Sequence, residues 1–408
     1  MTKTYFSNRI ISNNFVTNKI ITNFAIYKYH IMEENPFLFG KSVEGSFFTD
    51  RKEETKRLEA NLTHGINTVL ISPRRWGKTS LVKKVIANNQ REDVKYVLID
   101  MFYCKSESAF YHLYANEVIK QTSSKLDEWV ENCKRFLSNI TPKFSFGSDP
   151  LNDFSISFEW NPKDGTDIDI LQLPEKIAKK KNIRIVVCFD EFQQIGFFDD
   201  PLNFQKKLRS VWQHHQNTTY CMFGSKMHMM ESMFSDASCP LYKFGDIMFL
   251  KKIPTEEWIP FIVRQFSNTG KSITEEQAEK ICNVTENLSS YVQQLSWIVW
   301  YKANPKVEDS MIDEAVKDLL EQNKVFFQRD VESLTELQLN FLVALADGVE
   351  TKVTGKEVIS KYQLVSSANV QQVKKSLLSK EFIDTEGNRI FISDPIFELW
   401  IKRNIKVE

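Results

Sequence analysis

The sequence predicts an α/β fold: a doubly wound parallel sheet, followed by a helical region and by a small unit of helices and one hairpin. Short apolar runs alternate with helix-like stretches up to about residue 252, which is typical of a parallel sheet covered on both faces. The periodicity is helical over 253–330, and two strand-like runs enclose a turn at Gly387. A chain of 408 residues is long enough for two or three domains. We therefore predict three units, over 33–252, 253–330 and 331–408.

The composition is that of an ordinary globular protein. Apolar residues make up 42% and charged residues 26% of the chain, which excludes a mainly disordered, collagen-like or disulfide-stapled protein. Lys and Arg (53) balance Asp and Glu (53), so no overall field draws the chain to nucleic acid or to a membrane. No apolar run approaches the ~18 residues of a membrane-spanning helix. We expect a soluble protein without a membrane partner.

The cysteines predict neither a disulfide framework nor a zinc site. They form no CxxC pair and no cluster with histidine. In a long chain without a secretion signal, this spacing is typical of reduced thiols, so we expect a cytoplasmic protein. The six positions are Cys104, Cys133, Cys188, Cys221, Cys239 and Cys282.

Residues 1–32 differ from the rest of the chain. They contain four basic residues and no acidic residue before Glu33. One interpretation is a targeting peptide, although such peptides usually contain more Arg and Ser. The other, which we favour, is a disordered extension or upstream sequence translated by mistake, with Met32 as the true start. The segment is excluded from the predicted fold.

The predicted core has five strands with helices between them. The strands are Ile66–Ile71, Val94–Asp100, Ile183–Phe189, Thr218–Phe223 and Ile247–Leu250. Their nearly continuous apolar sequences predict burial on both faces. The helices are Lys78–Asn89, Ser106–Lys125 and Phe204–His215. Aromatic and polar residues alternate on both sides of a Gly147–Pro150 turn, between Phe144 and Trp160, which predicts a hairpin inserted at about 143–162.

The two carboxyl-terminal units are predicted from helix periodicity and from start signals. The second unit has four helices, Glu256–Asn268, Thr274–Val284, Ser289–Lys302 and Ser310–Phe327. In the third, capping boxes at Ser333/Glu336 and Thr354/Glu357 predict two helix starts, and a third helix begins at Ser366 or Ser367. Phe382-Ile383 and Arg389–Ile392 flank a Glu386-Gly387-Asn388 turn. Three short helices and a hairpin predict a winged helix-turn-helix.

A phosphate-binding loop is predicted between the first strand and the next helix. Gly77, Lys78 and Thr79 match the second half of the P-loop pattern G-x-x-x-x-G-K-[ST], whereas Ser72 stands where Gly is usual. Backbone N–H groups at the helix start would bind phosphate, Lys78 would neutralise it and a hydroxyl would ligate Mg²⁺. An ordinary Lys-capped turn is the alternative. The predicted nucleotide-binding residues are Pro73, Arg74, Arg75, Trp76, Gly77, Lys78, Thr79 and Ser80.

Two carboxylates support the nucleotide site, because they follow a buried strand directly. Asp190 and Glu191 lie at the carboxyl edge of the third core strand, where ligands bind in doubly wound sheets. We predict that Asp190 holds Mg²⁺ together with Thr79, and that Glu191 takes a proton from the attacking water. Ser225 ends the fourth core strand and is predicted to position that water. We count Glu191, Lys78 and Ser225 as candidate catalytic residues.

These motifs resemble those of the archaeal-type P-loop ATPases, a family common also in Bacteroidetes. The resemblance runs from about residue 35 to 400 and ends with Asp394–Trp400. It implies a P-loop core of the type shared by AAA+ proteins and STAND switch ATPases, a helical lid over 253–330, and ATP, ADP and Mg²⁺ as ligands. The other matching segments are Asn35–Phe37, Phe48–Arg51 with Glu54 and Leu58, Ser72–Ser80, Asp190–Gln193, Leu208–Ser210, Phe223–Ser225 and Tyr291–Leu295.

The arginine finger of this family is not evident in the sequence. Members often carry an Arg in the segment corresponding to Leu241–Asp246, where this chain offers only Lys243. Arg209 and Arg264 are the alternatives. Since a finger in trans speeds phosphoryl transfer about 10³–10⁵-fold, a site without one is expected to turn over slowly, as a switch would.

The winged helix shows no strong charge signature for DNA. Residues 331–408 contain ten Lys/Arg and eleven Asp/Glu, a net charge of −1, whereas duplex binding usually shows a positive excess. The third helix offers Asn369, Gln372, Lys375 and Ser379 on its outer face, but no Arg.

We therefore predict an ATP-binding, slowly ATP-hydrolysing protein of AAA+/STAND type that acts as a nucleotide-gated regulatory switch. Its partner would be an unidentified protein or a second copy of itself. The alternative is a DNA-associated ATPase whose winged helix binds duplex DNA.

Overall fold

Five parallel strands form the central sheet, which confirms the predicted α/β core. The computed structural model describes residues 35–123, 143–146, 154–157 and 166–406, so the tail over 1–32 lies outside the described residues. The strands are β1 Thr68–Ile71, β2 Val94–Asp100, β3 Lys143–Phe146, β4 Phe154–Ser157, β5 Arg184–Asp190, β6 Thr218–Gly224 and β7 Asp246–Phe249. The central sheet has the order β2-β5-β6-β1-β7, and every neighbouring pair in it is parallel.

The inserted hairpin is also confirmed. β3 and β4 pair antiparallel in a separate two-stranded sheet between β2 and β5 along the chain. The predicted hairpin positions Phe158 and Trp160 lie outside the described residues. So do Ser124 and Lys125, the predicted end of the helix that follows β2.

Helices cover both faces of the sheet. Alternate residues of each strand point to opposite faces, and apolar residues on both faces need to be buried. Val69 and Ile71 of β1 belong to one buried apolar cluster, and Leu70 belongs to another. The helices of the core are α1 Lys52–Thr63, α2 Lys78–Asn88, α3 Glu107–Thr122, α4 Thr166–Leu171, α5 Leu173–Lys181, α6 Pro201–Trp212 and α7 Met227–Ser235. α6 begins three residues before the predicted Phe204 because the Asp200 side chain accepts a hydrogen bond from Asn203 N (3.2 Å) and caps it.

Asn67 fastens the amino ends of three strands. Its side-chain oxygen accepts a hydrogen bond from Tyr220 N in β6 (2.9 Å), and its backbone oxygen accepts one from Asp246 N in β7 (2.8 Å). Gly245 lies against this residue: a Cβ atom at position 245 would be 2.4 Å from Asn67 O. The start of β7 therefore requires glycine at this position.

Four helices follow the core and match the predicted segments to within one residue, except at the carboxyl end of the last, which extends beyond the predicted Phe327. They are α8 Thr255–Ser267, α9 Glu275–Val284, α10 Ser289–Lys302 and α11 Asp309–Glu332. Phe37, which precedes the core in sequence, packs among them against Phe261 and Phe266. Among the described residues, no helix is long and apolar enough to cross a membrane.

Three helices, a hairpin and a last helix complete the chain and confirm the winged helix-turn-helix. They are α12 Glu336–Ala346, α13 Lys356–Lys361, α14 Ser367–Ser379, β8 Ile383–Glu386, β9 Arg389–Ile392 and α15 Pro395–Asn404. β8 and β9 pair antiparallel. α14 begins at Ser367, one of the two predicted starts, and Ser366 caps it by accepting a hydrogen bond from Asn369 N.

Both predicted capping boxes in this unit are wrong. α11 continues to Glu332, so Ser333 caps its carboxyl end, and the box that opens α12 is formed by Thr335 with Gln338. α13 starts after Gly355 and has no side-chain cap. Thr354, the predicted cap, lies one residue before the capping position. The spacing was correct for such boxes, but the end of the preceding helix decides which hydroxyl reaches free N–H groups.

Candidate functional site

The predicted loop and carboxylates meet in a cavity of about 610 Å³ at the carboxyl edge of the sheet. Its remaining walls come from residues 38–49, here called the strap, and from the α8–α11 region. The strap is fastened to the core by a hydrogen bond from Val43 N to Ser80 Oγ (3.0 Å). It is fastened to α10 by a hydrogen bond from Gln293 Nε2 to Phe47 O (3.2 Å).

The loop before α2 has the backbone shape of an anion site. Gly77 is the residue before the helix, with φ 88°, and no side chain caps the helix start. The first N–H groups of α2 are therefore available to a phosphate, aided by the helix dipole. Arg75 also has a left-handed conformation, with φ 67°. All predicted loop residues from Arg74 to Ser80 line the cavity; Pro73 lines a neighbouring cleft instead.

Lys78 is folded back onto the carbonyl oxygens of its own loop. Its Nζ donates hydrogen bonds to Ser72 O (2.7 Å) and Pro73 O (2.8 Å), and only 6% of the residue is exposed. Burial lowers the pKa of Lys78 to about 8, against the opposing effect of the Glu191 and Asp190 carboxylates. The Lys78 N–H groups that would donate to a phosphate are therefore bonded to these carbonyl oxygens instead.

We predict that nucleotide affinity falls as the pH rises through 8. Below that pH Lys78 is charged in the free protein; above it, binding a phosphate must first restore the proton, and Kd for ADP should rise about tenfold per pH unit. The pKa of Lys78 sets this window. Equilibrium titration of ADP from pH 7.5 to 9.5 measures the slope. Lys78→Arg, whose side chain stays charged, should be flat; an equal slope in that variant would exclude Lys78 as the titrating group.

The two predicted carboxylates form one hydrogen-bonded network with Thr79 and Ser225. Thr79 Oγ1 donates to Asp190 Oδ2 (2.8 Å), and Ser225 Oγ donates to Glu191 Oε2 (2.9 Å). Burial raises the pKa of Asp190, while the Thr79 hydrogen bond opposes that shift. Gln193 also donates to the Glu191 carboxylate. The structure thus brings together Lys78, Thr79, Asp190, Glu191 and Ser225.

Oxygen ligands for Mg²⁺ are present, but few. Asp190 and Thr79 supply two side-chain oxygens beside the loop, and the described residues contain no group of three or more His, Cys, Asp or Glu that could hold a metal. This set fits an ion that keeps most of its ligands as water and phosphate oxygens, as Mg²⁺ does beside a nucleotide.

The arginines predicted as fingers lie elsewhere. Arg209 donates to Tyr242 O (3.1 Å), and Arg264 lies 5.7 Å from the ring centre of Phe261. Lys243 lies 5.1 Å from the ring centre of Tyr242. None of the three borders the cavity in the described part of the chain.

Three arginines that do border the cavity are already engaged. Arg51, nearly fully buried, donates to Glu54 Oε1 (2.9 Å) and Trp76 O (3.2 Å), and Arg74 donates to Ser225 Oγ (3.3 Å). Arg75 donates to Tyr291 Oη (2.8 Å) and Asp394 Oδ2 (3.1 Å). This last contact is not predictable from local sequence patterns, because its three members lie in three separate segments. Both partners belong to segments that carried the family resemblance, which was the signal available.

Two family models match the chain. One, for an ATPase domain predominantly from Archaea, matches residues 48–295, and one for a probable winged helix domain matches residues 325–403. No curated protein matches in sequence.

Solved structures share the fold. The Walker-type ATPase of Pyrococcus abyssi has 18% identity and a TM-score of 0.64, with 90% of this chain and 99% of that chain covered. The ORC2 protein of Aeropyrum pernix, solved in ADPNP–ADP complexes, has 15% identity and a TM-score of 0.58, with 90% and 96% covered. Since the family model spans more than half of the residues, this chain belongs to the family of ATPase domains found predominantly in Archaea.

Proposed function

We propose that the protein binds ATP and ADP with Mg²⁺, hydrolyses ATP slowly, and acts as a nucleotide-gated regulatory switch of AAA+/STAND type. The observation that carries this proposal is the network of Thr79, Asp190, Glu191 and Ser225 beside Lys78 at one end of the cavity. Family membership supports ATPase chemistry in general. Cytoplasmic location, the domain limits 33–252, 253–330 and 331–408, and a protein or self partner stay predictions.

Each residue of the network has a distinct proposed role. Lys78 exchanges its loop carbonyls for phosphate oxygens, and the N–H groups after Gly77 bind the same phosphates. Thr79 and Asp190 hold Mg²⁺, which neutralises phosphate charge when bound. Glu191 accepts a proton from water, and Ser225, whose hydroxyl donates a 2.9 Å hydrogen bond to Glu191, helps to position that water.

Slow turnover is supported by the arginines. Arg51, Arg74 and Arg75 each donate to another group of the protein. A finger must be free to stabilise the charge of the transferred phosphoryl group. Arg51 and Arg74 are therefore not free to act as fingers in this structure, which supports slow turnover.

The alternative is a DNA-associated ATPase, favoured by the exposed face of α14. Gln372, Lys375 and Ser379 are exposed on this helix, which a winged helix-turn-helix places in the major groove. The net charge of −1 over 331–408 weighs against it.

Steady-state ATP hydrolysis by wild type and Glu191→Gln, with and without duplex DNA at low salt, tests the proposal. We expect slow turnover that depends on Glu191 and does not respond to DNA. Turnover raised by DNA, together with a salt-sensitive gel shift, would favour the DNA-associated ATPase. Wild-type protein that binds no ATP would overturn both functions.

A further inference from the structure

Three side chains from the three parts of the chain meet in one polar triad. Arg75 Nη1 donates to Tyr291 Oη (2.8 Å) and to Asp394 Oδ2 (3.1 Å), and the Tyr291 hydroxyl donates to the same Oδ2 (2.7 Å). The guanidinium carbon lies 5.2 Å from the Tyr291 ring centre. Arg75 is separated from these partners by 216 and 319 positions. The triad therefore exists only while the phosphate loop, α10 and the winged helix are packed together.

The triad borders both the cavity and a neighbouring cleft. Arg75 and Tyr291 line the 610 Å³ cavity. Arg75 and Asp394 line a cleft of about 270 Å³ between the phosphate loop and the winged helix. A group that binds at the phosphate loop and attracts Arg75 would thus act on a contact that holds the winged helix.

Asp394 uses its two oxygens for different purposes. Oδ1 accepts hydrogen bonds from Ile396 N and Phe397 N, both at 3.0 Å, and so caps α15. Oδ2 accepts the bonds from Arg75 and Tyr291. Loss of the Oδ2 contacts leaves the helix cap in place, so the winged helix can separate from the loop and remain folded.

The docked winged helix also brings negative charge to the phosphate loop. Glu381 and Asp384 line the cleft beside Arg74 and Arg75. Asp384 Oδ1 of the winged helix lies 3.9 Å from His228 Nε2 of α7, so the winged helix also meets the core at this point. Carboxylates in the cleft beside the loop disfavour a triphosphate, which carries more negative charge than a diphosphate.

We propose that the Arg75–Tyr291–Asp394 triad is a latch that holds the winged helix on the phosphate loop, and that Mg·ATP opens it by competing with Asp394 for Arg75. This inference rests on the nucleotide binding proposed above. Because linkage is reciprocal, weakening the latch raises the affinity for triphosphate. Arg75 is half exposed, and ion pairs of that kind are modest, so we expect a change of about 3- to 10-fold.

The test combines an affinity with a distance. Spin labels are placed at Lys206→Cys on α6 and Glu386→Cys on β8, which are exposed positions outside the site, with Cys133 and Cys239 replaced by serine. Four other cysteines are buried. Double electron–electron resonance is recorded without nucleotide, with Mg·ADP and with Mg·ATPγS. Kd for both nucleotides is measured in wild type, Asp394→Asn and Tyr291→Phe. Glu350→Gln is the matched control, since Glu350 pairs with Arg389 inside the winged helix.

We expect one short distance without nucleotide and a longer one with Mg·ATPγS. Asp394→Asn, which retains the capping oxygen, should show the longer distance as an additional population without nucleotide and bind ATPγS about 3- to 10-fold more tightly. Tyr291→Phe should shift the spin-label distance and the ATPγS affinity in the same direction as Asp394→Asn. Glu350→Gln should match wild type. Wild-type distance or wild-type affinity in both latch variants would overturn the latch while nucleotide binding stands. Failure of wild type to bind ATPγS would overturn the proposed function itself.

Discussion

Glu191→Gln should lower kcat for ATP hydrolysis by about 10²–10⁴-fold, the range that positioned general bases supply. The amide has the size of the carboxylate and can still accept the hydrogen bond that Ser225 Oγ donates to Oε2. It cannot accept a proton from water at neutral pH. Because Glu191 makes no contact with the phosphate loop in the described hydrogen-bond network, Kd for ADP should stay close to wild type. Steady-state hydrolysis at saturating ATP and ADP titration measure kcat and Kd separately.

Asp100→Asn is the matched control for this variant. Asp100 ends β2 in register with Asp190, at the same edge of the sheet, and its carboxylate accepts a hydrogen bond from Phe102 N. It does not line the cavity. The same change of charge there should leave kcat nearly unchanged. Equal losses in the two variants, or full activity in Glu191→Gln, would remove Glu191 from the role of base.

Gly245→Ala should lower the free energy of unfolding by about 1–3 kcal/mol, the cost of overpacking a rigid site. The added Cβ would lie 2.4 Å from Asn67 O and 2.7 Å from Asn67 C. These are backbone atoms, so relief requires a shift of the segment that bonds to Tyr220 and Asp246. Urea unfolding followed by tryptophan fluorescence measures the loss.

Gly355→Ala provides the comparison for that loss. Gly355 has φ −63°, and a Cβ atom there would meet nothing closer than Lys352 O at 3.2 Å. Alanine is a poorer residue than glycine before a helix but restricts the unfolded chain, and because these effects oppose each other the change should alter stability by less than about 1 kcal/mol. If the two alanine variants unfold at the same urea concentration, the Asn67 backbone does not exclude a side chain at position 245.

Local patterns predicted the core because the strands are buried on both faces. Val94–Asp100 is a strand with the predicted bounds, and Asp190 meets Thr79 of the loop because parallel strands end at one edge. The strap and the latch were not predictable in this way. Gln293 meets Phe47 and Arg75 meets Asp394 across hundreds of residues, and such contacts depend on how whole units pack.

The capping errors have a related cause. Ser333 and Thr335 are both suitable helix caps by residue type. The choice between them depends on where α11 stops, since Ser333 closes that helix and Thr335 opens α12. A short-range pattern contains no information on the length of its neighbour.

The mixed origin of the cavity wall has a thermodynamic consequence for the whole molecule. The strap, the phosphate loop and α10 contribute to one cavity although they are far apart in sequence, so the unfolded chain offers no binding site. A ligand held there stabilises all of these segments together, by about 2.7 kcal/mol at a free concentration of 100 times Kd. The cellular lifetime of the protein would then follow the supply of its nucleotide.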